Sequence, residues 1–131
     1  MKPELRNLFD EQLELVLPEL PQQVRDFMNE VPLVVEDYPS PEIMRRMRVR
    51  HRSHLCGLYT GIPLIKRSVD HWGTPSDVIH IYRLGILNQA RTRDGGIDAA
   101  ELQSQIRRTI LHEYGHHVGL SERDLRGLGY G

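Results

Sequence analysis

Between Ala99 and Val118, the apolar residues Leu102, Ile106, Ile110, Leu111 and Val118 recur at helical spacing. No other stretch of the chain restricts the fold so strongly, because a continuous apolar stripe must be covered by partners. The spacing predicts an amphipathic helix of about 20 residues around which the rest of the chain must build a core. Asp98 is placed to cap its start, and Gly119 to stop it in a left-handed C-cap.

The chain has 131 residues, enough for one compact domain over residues 1–131 and too few for a second core of ordinary size. Apolar residues make up 39% and charged residues 27%, a balance that fills a core and excludes wholesale disorder. Seventeen basic and eighteen acidic side chains leave a formal charge of -1, so no overall field commits the molecule to nucleic acid or anionic lipid. Cys56 is the single cysteine, which excludes an internal disulfide and the paired thiolates of zinc fingers and ribbons. A metal here has to be held by histidines and carboxylates. The opening M-K-P-E-L-R carries charges where a signal peptide carries its apolar run, and no stretch reaches the roughly 20 apolar residues of a membrane span. A soluble protein in the reducing cytoplasm is the expectation.

The remaining periodicities are shorter. Residues 4 to 17 set Leu5, Leu8, Phe9, Leu13, Val16 and Leu17 on one face, predicting an N-terminal helix interrupted at Pro18. Pro21 opens a second short helix in which Val24, Phe27 and Met28 share a face. Three strands are expected, at Val31 to Val35, Leu55 to Thr60 and Val78 to Leu84, each rich in β-branched or aromatic residues and bounded by turn formers. R-T-R-D-G-G before the long helix reads as a surface turn, and Ser121 with Asp124 forms a capping box for a last short helix. The order of elements gives an α+β fold with a small mixed sheet packed against N-terminal helices and the long helix.

That long helix carries His112-Glu113-Tyr114-Gly115-His116, a match to H-E-x-x-H. Positions four apart stack on one helical face, so His112 and His116 can present imidazole nitrogens to a single ion. Zinc suits two imidazoles and a carboxylate, and accepts a tetrahedral site with one position left for water. Glu113 follows the first ligand and reaches that water rather than the metal, which makes it the candidate general base. The third ligand has to follow the turn at Gly119, and Glu122 and Asp124 are both in reach. Asp124 is already engaged as the capping partner of Ser121, so Glu122 is favoured, with Asp124 the alternative. The expected chemistry is hydrolysis of peptide bonds in a peptide or protein substrate.

The segment H-E-Y-G-H-H-V-G-L-S-E-R-D-L resembles the signature of the small bacterial zincin-like metallopeptidases, and is similar to the H-E-x-x-H-x-x-G-x-x-(H/D) pattern of metzincins. Leu33 to Asp37, the G-L-Y-x-G-x-P-L stretch from Gly57 to Leu64, and R-T-R-D before the motif helix extend the likeness across nearly the whole chain. The resemblance implies a minimal zincin-like fold with one zinc held by His112, His116 and a residue after Gly119. Two features depart from the metzincins: Glu122 stands where they carry His or Asp, and no methionine follows the motif, since the four methionines are at positions 1, 28, 44 and 47.

Other features carry rival functions. Arg45 to Arg52 places five arginines and a histidine in eight positions, but without interleaved aromatics or a recognisable module it does not predict nucleic-acid binding. The main rival keeps the zinc and drops the catalysis, making the chain a metal-stabilised binding module whose partner meets the arginine segment. His117 is about 100° round the helix from His116 and is not counted as a ligand. Tyr114 and Tyr130 could donate to an oxyanion, but both read as packing residues. His71, Trp72 and His80 could line a cleft, and Cys56 reads as a small core residue.

Overall fold

The computed structural model describes residues 1–61, 77–117 and 122–127, with the backbone alone at positions 116, 117, 122, 124 and 125. Helix α1 runs Pro3–Val16 with Pro3 in its first turn, where the missing amide proton leaves no bond unmade. It buries Phe9, Leu13 and Val16, spaced by four and three residues along one face. Pro18 converts its end into a 3-10 turn at Leu17–Glu19, and α2 follows at Gln22–Met28, entered through Pro21 and burying Val24.

A three-stranded sheet comes next, with β1 at Leu33–Glu36, β2 at Gly57–Thr60 and β3 at Val78–Tyr82. Its spatial order is β1-β3-β2, with β1 parallel and β2 antiparallel to β3, so the sheet is mixed as expected. The register aligns Leu33 and Tyr59 with Ile79, and Val35 and Gly57 with Ile81. These residues share the inner face, where Ile79 and Ile81 are fully buried. On the outer face, Glu36, His80 and Thr60 join the three strands: His80 Nδ1 is 2.6 Å from Glu36 Oε1, and its Nε2 is 3.2 Å from the Thr60 hydroxyl.

Two helices lie where the sequence suggested none. Helix α3, Pro41–Arg46, is capped by the Ser40 hydroxyl, which accepts from the Ile43 amide at 3.2 Å. Helix α4, Arg83–Gln89, grows directly from the end of β3 and buries Gly85, Ile86 and Leu87. It packs so closely on the chain entering β2 that a Cβ on Gly85 would lie 2.9 Å from the Leu55 carbonyl carbon. The strand expected to reach Leu84 therefore ends at Tyr82, and the one expected from Leu55 begins at Gly57.

The motif helix is α5, Ala99–His117. Asp98 occupies the position before it, its carbonyl accepting from the Leu102 amide at 2.9 Å. The preceding turn is closed by Thr92 and Asp94, with Gly95 at φ +89, a conformation that glycine adopts without strain. Leu102, Ile106, Ile110 and Leu111 are fully buried, each contributing about 2 kcal/mol by leaving water. Helices α1, α2 and α4 and the inner face of the sheet pack around this stripe. A short helix α6, Glu122–Gly127, packs back onto α5. The expected Gly119 stop, the Ser121 cap and the tip of the helix at Val118 lie outside the described residues, as do His71, Trp72 and Tyr130. No helix among the described residues is long and apolar enough to cross a membrane.

An ion-pair cluster fastens α1 and α4 to the end of β1. Arg6 donates to Asp37 at 2.6 Å, while Arg83 donates to Asp10 at 2.9 Å and to Asp37 at 3.0 Å. The Arg6 guanidinium, hydrogen-bonded to Asp37, holds that carboxyl below its ordinary range, and Arg83 adds to the effect.

Candidate active site

A cleft of about 400 Å³ opens between α5, the start of β2 and the end of α4. Among the described residues, its walls are Gln105, Arg108, Thr109, His112 and Glu113 of α5, Cys56 and Gly57 at β2, and Gln89 at α4. His112 and Glu113 are each half-buried, neither sealed in the core nor free in solvent. They face the cleft because α5 turns its opposite side, with Ile106, Ile110 and Leu111, into the core.

Gly57 brings the strand against the helix. A Cβ built on it would lie 3.0 Å from Thr109 Cγ2, 3.1 Å from Glu113 Cγ and 3.3 Å from the His80 carbonyl oxygen. Any larger residue must push α5 or the Glu113 side chain away. Among the described strands, β2 stands at the edge of the sheet, paired with β3 on one side, and its first residue floors the cleft.

The electrostatics of the cleft follow from this crowding. Burial, and then the Glu113 carboxylate, raise the pKa of the Cys56 thiol, so the sulfur stays protonated and is a poor nucleophile at neutral pH. Tyr114, next in sequence to Glu113, is fully buried on the core side and donates its hydroxyl to the Val31 carbonyl at 2.7 Å. That bond ties α5 to the residue leading into β1, and burial raises the phenol's pKa. Tyr114 therefore packs the helix and does not face the cleft. His80 likewise lies on the outer face of the sheet between Glu36 and Thr60.

The helix is unbroken from His112 to His116, so the two positions are stacked one turn apart on α5. Glu122 is the first residue of α6, and Asp124 lies within its first turn. The side chains of His116, Glu122 and Asp124 are not among those described. Among the described residues no group of three metal-ligating side chains is gathered; the half-buried His112 imidazole and the histidine position one turn along are of a donor type that suits zinc. The negative end of the α5 dipole also favours a cation there.

Against known proteins, the family model for zincin-like metallopeptidases matches residues 28–130. The chain belongs to the zincin-like metallopeptidase family. A search of curated proteins finds no match. In this zincin-like chain the match begins at the end of α2 and takes in the sheet, the cleft and the motif helix.

Several residues of the cleft escaped the sequence reading. Gln105 and Arg108 lie seven and four residues before His112 on α5, and that helical spacing was the signal that could have found them. A glycine opening a strand pattern at Gly57 signals a close approach of another element. Gln89 comes from a helix that periodicity did not reveal.

Proposed function

We propose that the chain is a zinc-dependent metallopeptidase in which His112, His116 and Glu122 hold the ion and Glu113 is the general base. The observation that carries this reading is the placement of His112 and Glu113 together in the wall of the cleft, over Gly57 at the sheet edge. Bound zinc supplies Lewis-acid polarisation of the scissile carbonyl and makes water more acidic.

The chain's own residues perform the rest. The edge of β2 left unpaired among the described strands offers main-chain donors and acceptors to an extended peptide, which lies beside the strand with its scissile bond at Glu113. Glu113 accepts a proton from the attacking water as the new C–O bond forms. It then delivers that proton to the amide nitrogen as the C–N bond breaks, so a carboxylic acid and an amine leave, the acid's proton passing to the amine or to solvent, and Glu113 returns ionised. Gly57 keeps the stem of Glu113 in place from below. Cys56 stays a neutral thiol in the wall.

Zinc uptake and hydrolysis, measured together, test the proposal. Chelator-stripped wild-type protein given zinc takes up one ion per chain and recovers hydrolysis of an unstructured peptide, whereas His112→Ala and His116→Ala take up none. Protein that binds zinc and cleaves no peptide supports a metal-stabilised binding module instead, and protein that binds no transition metal overturns both.

A further inference from the structure

We propose that Arg48, Arg50 and Arg52 form a docking surface outside the cleft for an acidic stretch of the peptide substrate, roughly four to ten residues from the scissile bond; this rests on the peptidase reading above. Acidic and basic side chains are segregated along the chain. Residues 1 to 42 carry ten acids and three bases, whereas residues 43 to 55 carry five arginines, two histidines and no acid. Arg45, Arg46, Arg48, Arg50 and Arg52 are all exposed, and among the described residues none is in an ion pair. Behind a net charge of -1 lies a local positive field that steers an acidic polypeptide toward this surface.

Arg48 adds an observation independent of charge. It follows α3 in a left-handed turn at φ +56, the one non-glycine residue at positive φ among those described. The Val49 amide bonds back to the Met44 carbonyl at 2.9 Å and the Arg48 amide to the Arg45 carbonyl at 3.2 Å, a helix-ending pair in which glycine fits without strain. The Arg48 guanidinium makes no hydrogen bond or ion pair among the described residues that would offset that strain. Arg45 and Arg46, by contrast, lie in the last turn of α3, where a cation suits the carbonyl end of the helix.

The surface is continuous with the cleft. A peptide beside β2 runs past Gly57 toward the side from which the strand enters, where Arg52 precedes the cleft residue Cys56 by four positions. The chain from Arg52 to Cys56 spans at most about 14 Å, and that from Arg48 to Gly57 about 32 Å. An extended peptide covers those distances in roughly four to ten residues at about 3.3 Å each. The approach is held in place: His51 Nδ1 accepts from the Ser53 amide at 3.2 Å, and Arg52 lies 4.1 Å over the Tyr38 ring. The turn Arg52–His54 packs on α4, whose last residue, Gln89, is in the cleft wall. Nucleic acid fits this surface less well, because residues 43 to 55 hold no Phe, Trp or Tyr and Arg52 already stacks on Tyr38, so bases find no row of aromatic platforms.

The test uses zinc-loaded wild-type protein and internally quenched peptides that share one uncharged core and carry, at one end or the other, a tract of Asp and Glu or of the matching amides. Dissociation constants of the same peptides on the zinc-loaded Glu113→Gln protein, read by fluorescence anisotropy, report docking without turnover. The expected result is a preference of about tenfold for the acidic tract at one end only, seen in KM and Kd with kcat unchanged, and weakening as salt rises. Combining Arg48→Gly with Arg50→Gln brings that ratio near one, and Arg48→Gly alone melts no lower than wild type. Equal handling of acid and amide tracts by the wild type overturns the inference whether or not a variant folds, as does a preference indifferent to which end carries the tract. A ratio that survives the double substitution overturns it too, and a single-stranded oligonucleotide of equal charge that displaces the acidic peptide overturns it in favour of nucleic acid. Failure to cleave any peptide of the set overturns the peptidase reading, whereas cleavage blind to the tract overturns this inference alone.

Discussion

Gly57 lies directly beneath Glu113, so that strand β2 and the stem of the proposed base meet with no side chain between them: a Cβ on Gly57 would come within 3.1 Å of Glu113 Cγ. The same Cβ would meet Thr109 Cγ2 at 3.0 Å one turn back and the His80 carbonyl oxygen at 3.3 Å, so the neighbours would each have to give by a few tenths of an ångström. Gly57→Ala is expected to shift Glu113 and lower kcat by about tenfold or more, with zinc still bound. Overpacking of this kind costs about 1–3 kcal/mol, readable as a fall in the thermal midpoint. Unchanged kcat in the alanine variant contradicts the close fit.

Tyr114 provides the opposite case. Its hydroxyl is buried on the Val31 carbonyl, so Tyr114→Phe leaves one buried acceptor unpaired and should destabilise the fold by about 1–3 kcal/mol. Peptide hydrolysis should stay within about threefold of wild type, since only a loss near 100-fold matches removal of an oxyanion donor. Steady-state kinetics beside a denaturant curve separate the two roles.

The Asp37 cluster predicts how stability depends on pH. Arg6 and then Arg83 lower the pKa of the Asp37 carboxyl in the folded protein, so the contribution is complete above the ordinary carboxyl value near about 4 and is lost as pH falls through the lower folded value. Asp37→Asn should melt below wild type at pH 7, with the gap closing progressively below about pH 4. A gap that persists undiminished in acid contradicts this assignment.

Removing zinc should not unfold the domain. Leu102, Ile106, Ile110 and Leu111 are buried against α1, α2, α4 and the sheet, and the face of α5 that carries them is not the one that lines the cleft. Chelation is expected to lower the melting temperature by simple linkage while the far-UV circular dichroism at 25 °C stays near that of the loaded protein. Collapse of the helical signal on chelation, as in a zinc finger, contradicts a core independent of the ion.

How much of this was legible in the sequence depended on how each element meets its neighbours. Helix α5 could be read because its apolar stripe repeats over five turns and Asp98 marks its start. The inner-face residues of β1 and β3 were legible as β-branched runs. Helix α4 was not, because in V-I-H-I-Y-R-L-G-I-L the strand passes into the helix between Tyr82 and Arg83 with no glycine, proline or capping residue at the junction, and periodicity does not place a boundary between two adjoining apolar-rich segments. Helix α3 has no apolar stripe, and its one signal was Ser40 ahead of Pro41, a cap and a first-turn proline. In the site, His112 and Glu113 came from a motif, whereas Gln89 and Cys56 join the cleft only through tertiary packing. Gly57 could be suspected from its place in a strand, but its partner on α5 could not.

Substituting the proposed base most directly tests the central claim that Glu113 moves the proton while its neighbours hold the metal. Zinc content and peptide hydrolysis are measured on the same preparation of Glu113→Gln. One zinc per chain should remain, as in the wild type, with kcat reduced by about 100-fold or more. Hydrolysis at the wild-type rate with zinc in place contradicts the assignment of Glu113, and a folded protein that takes up no zinc from excess contradicts the metal site itself.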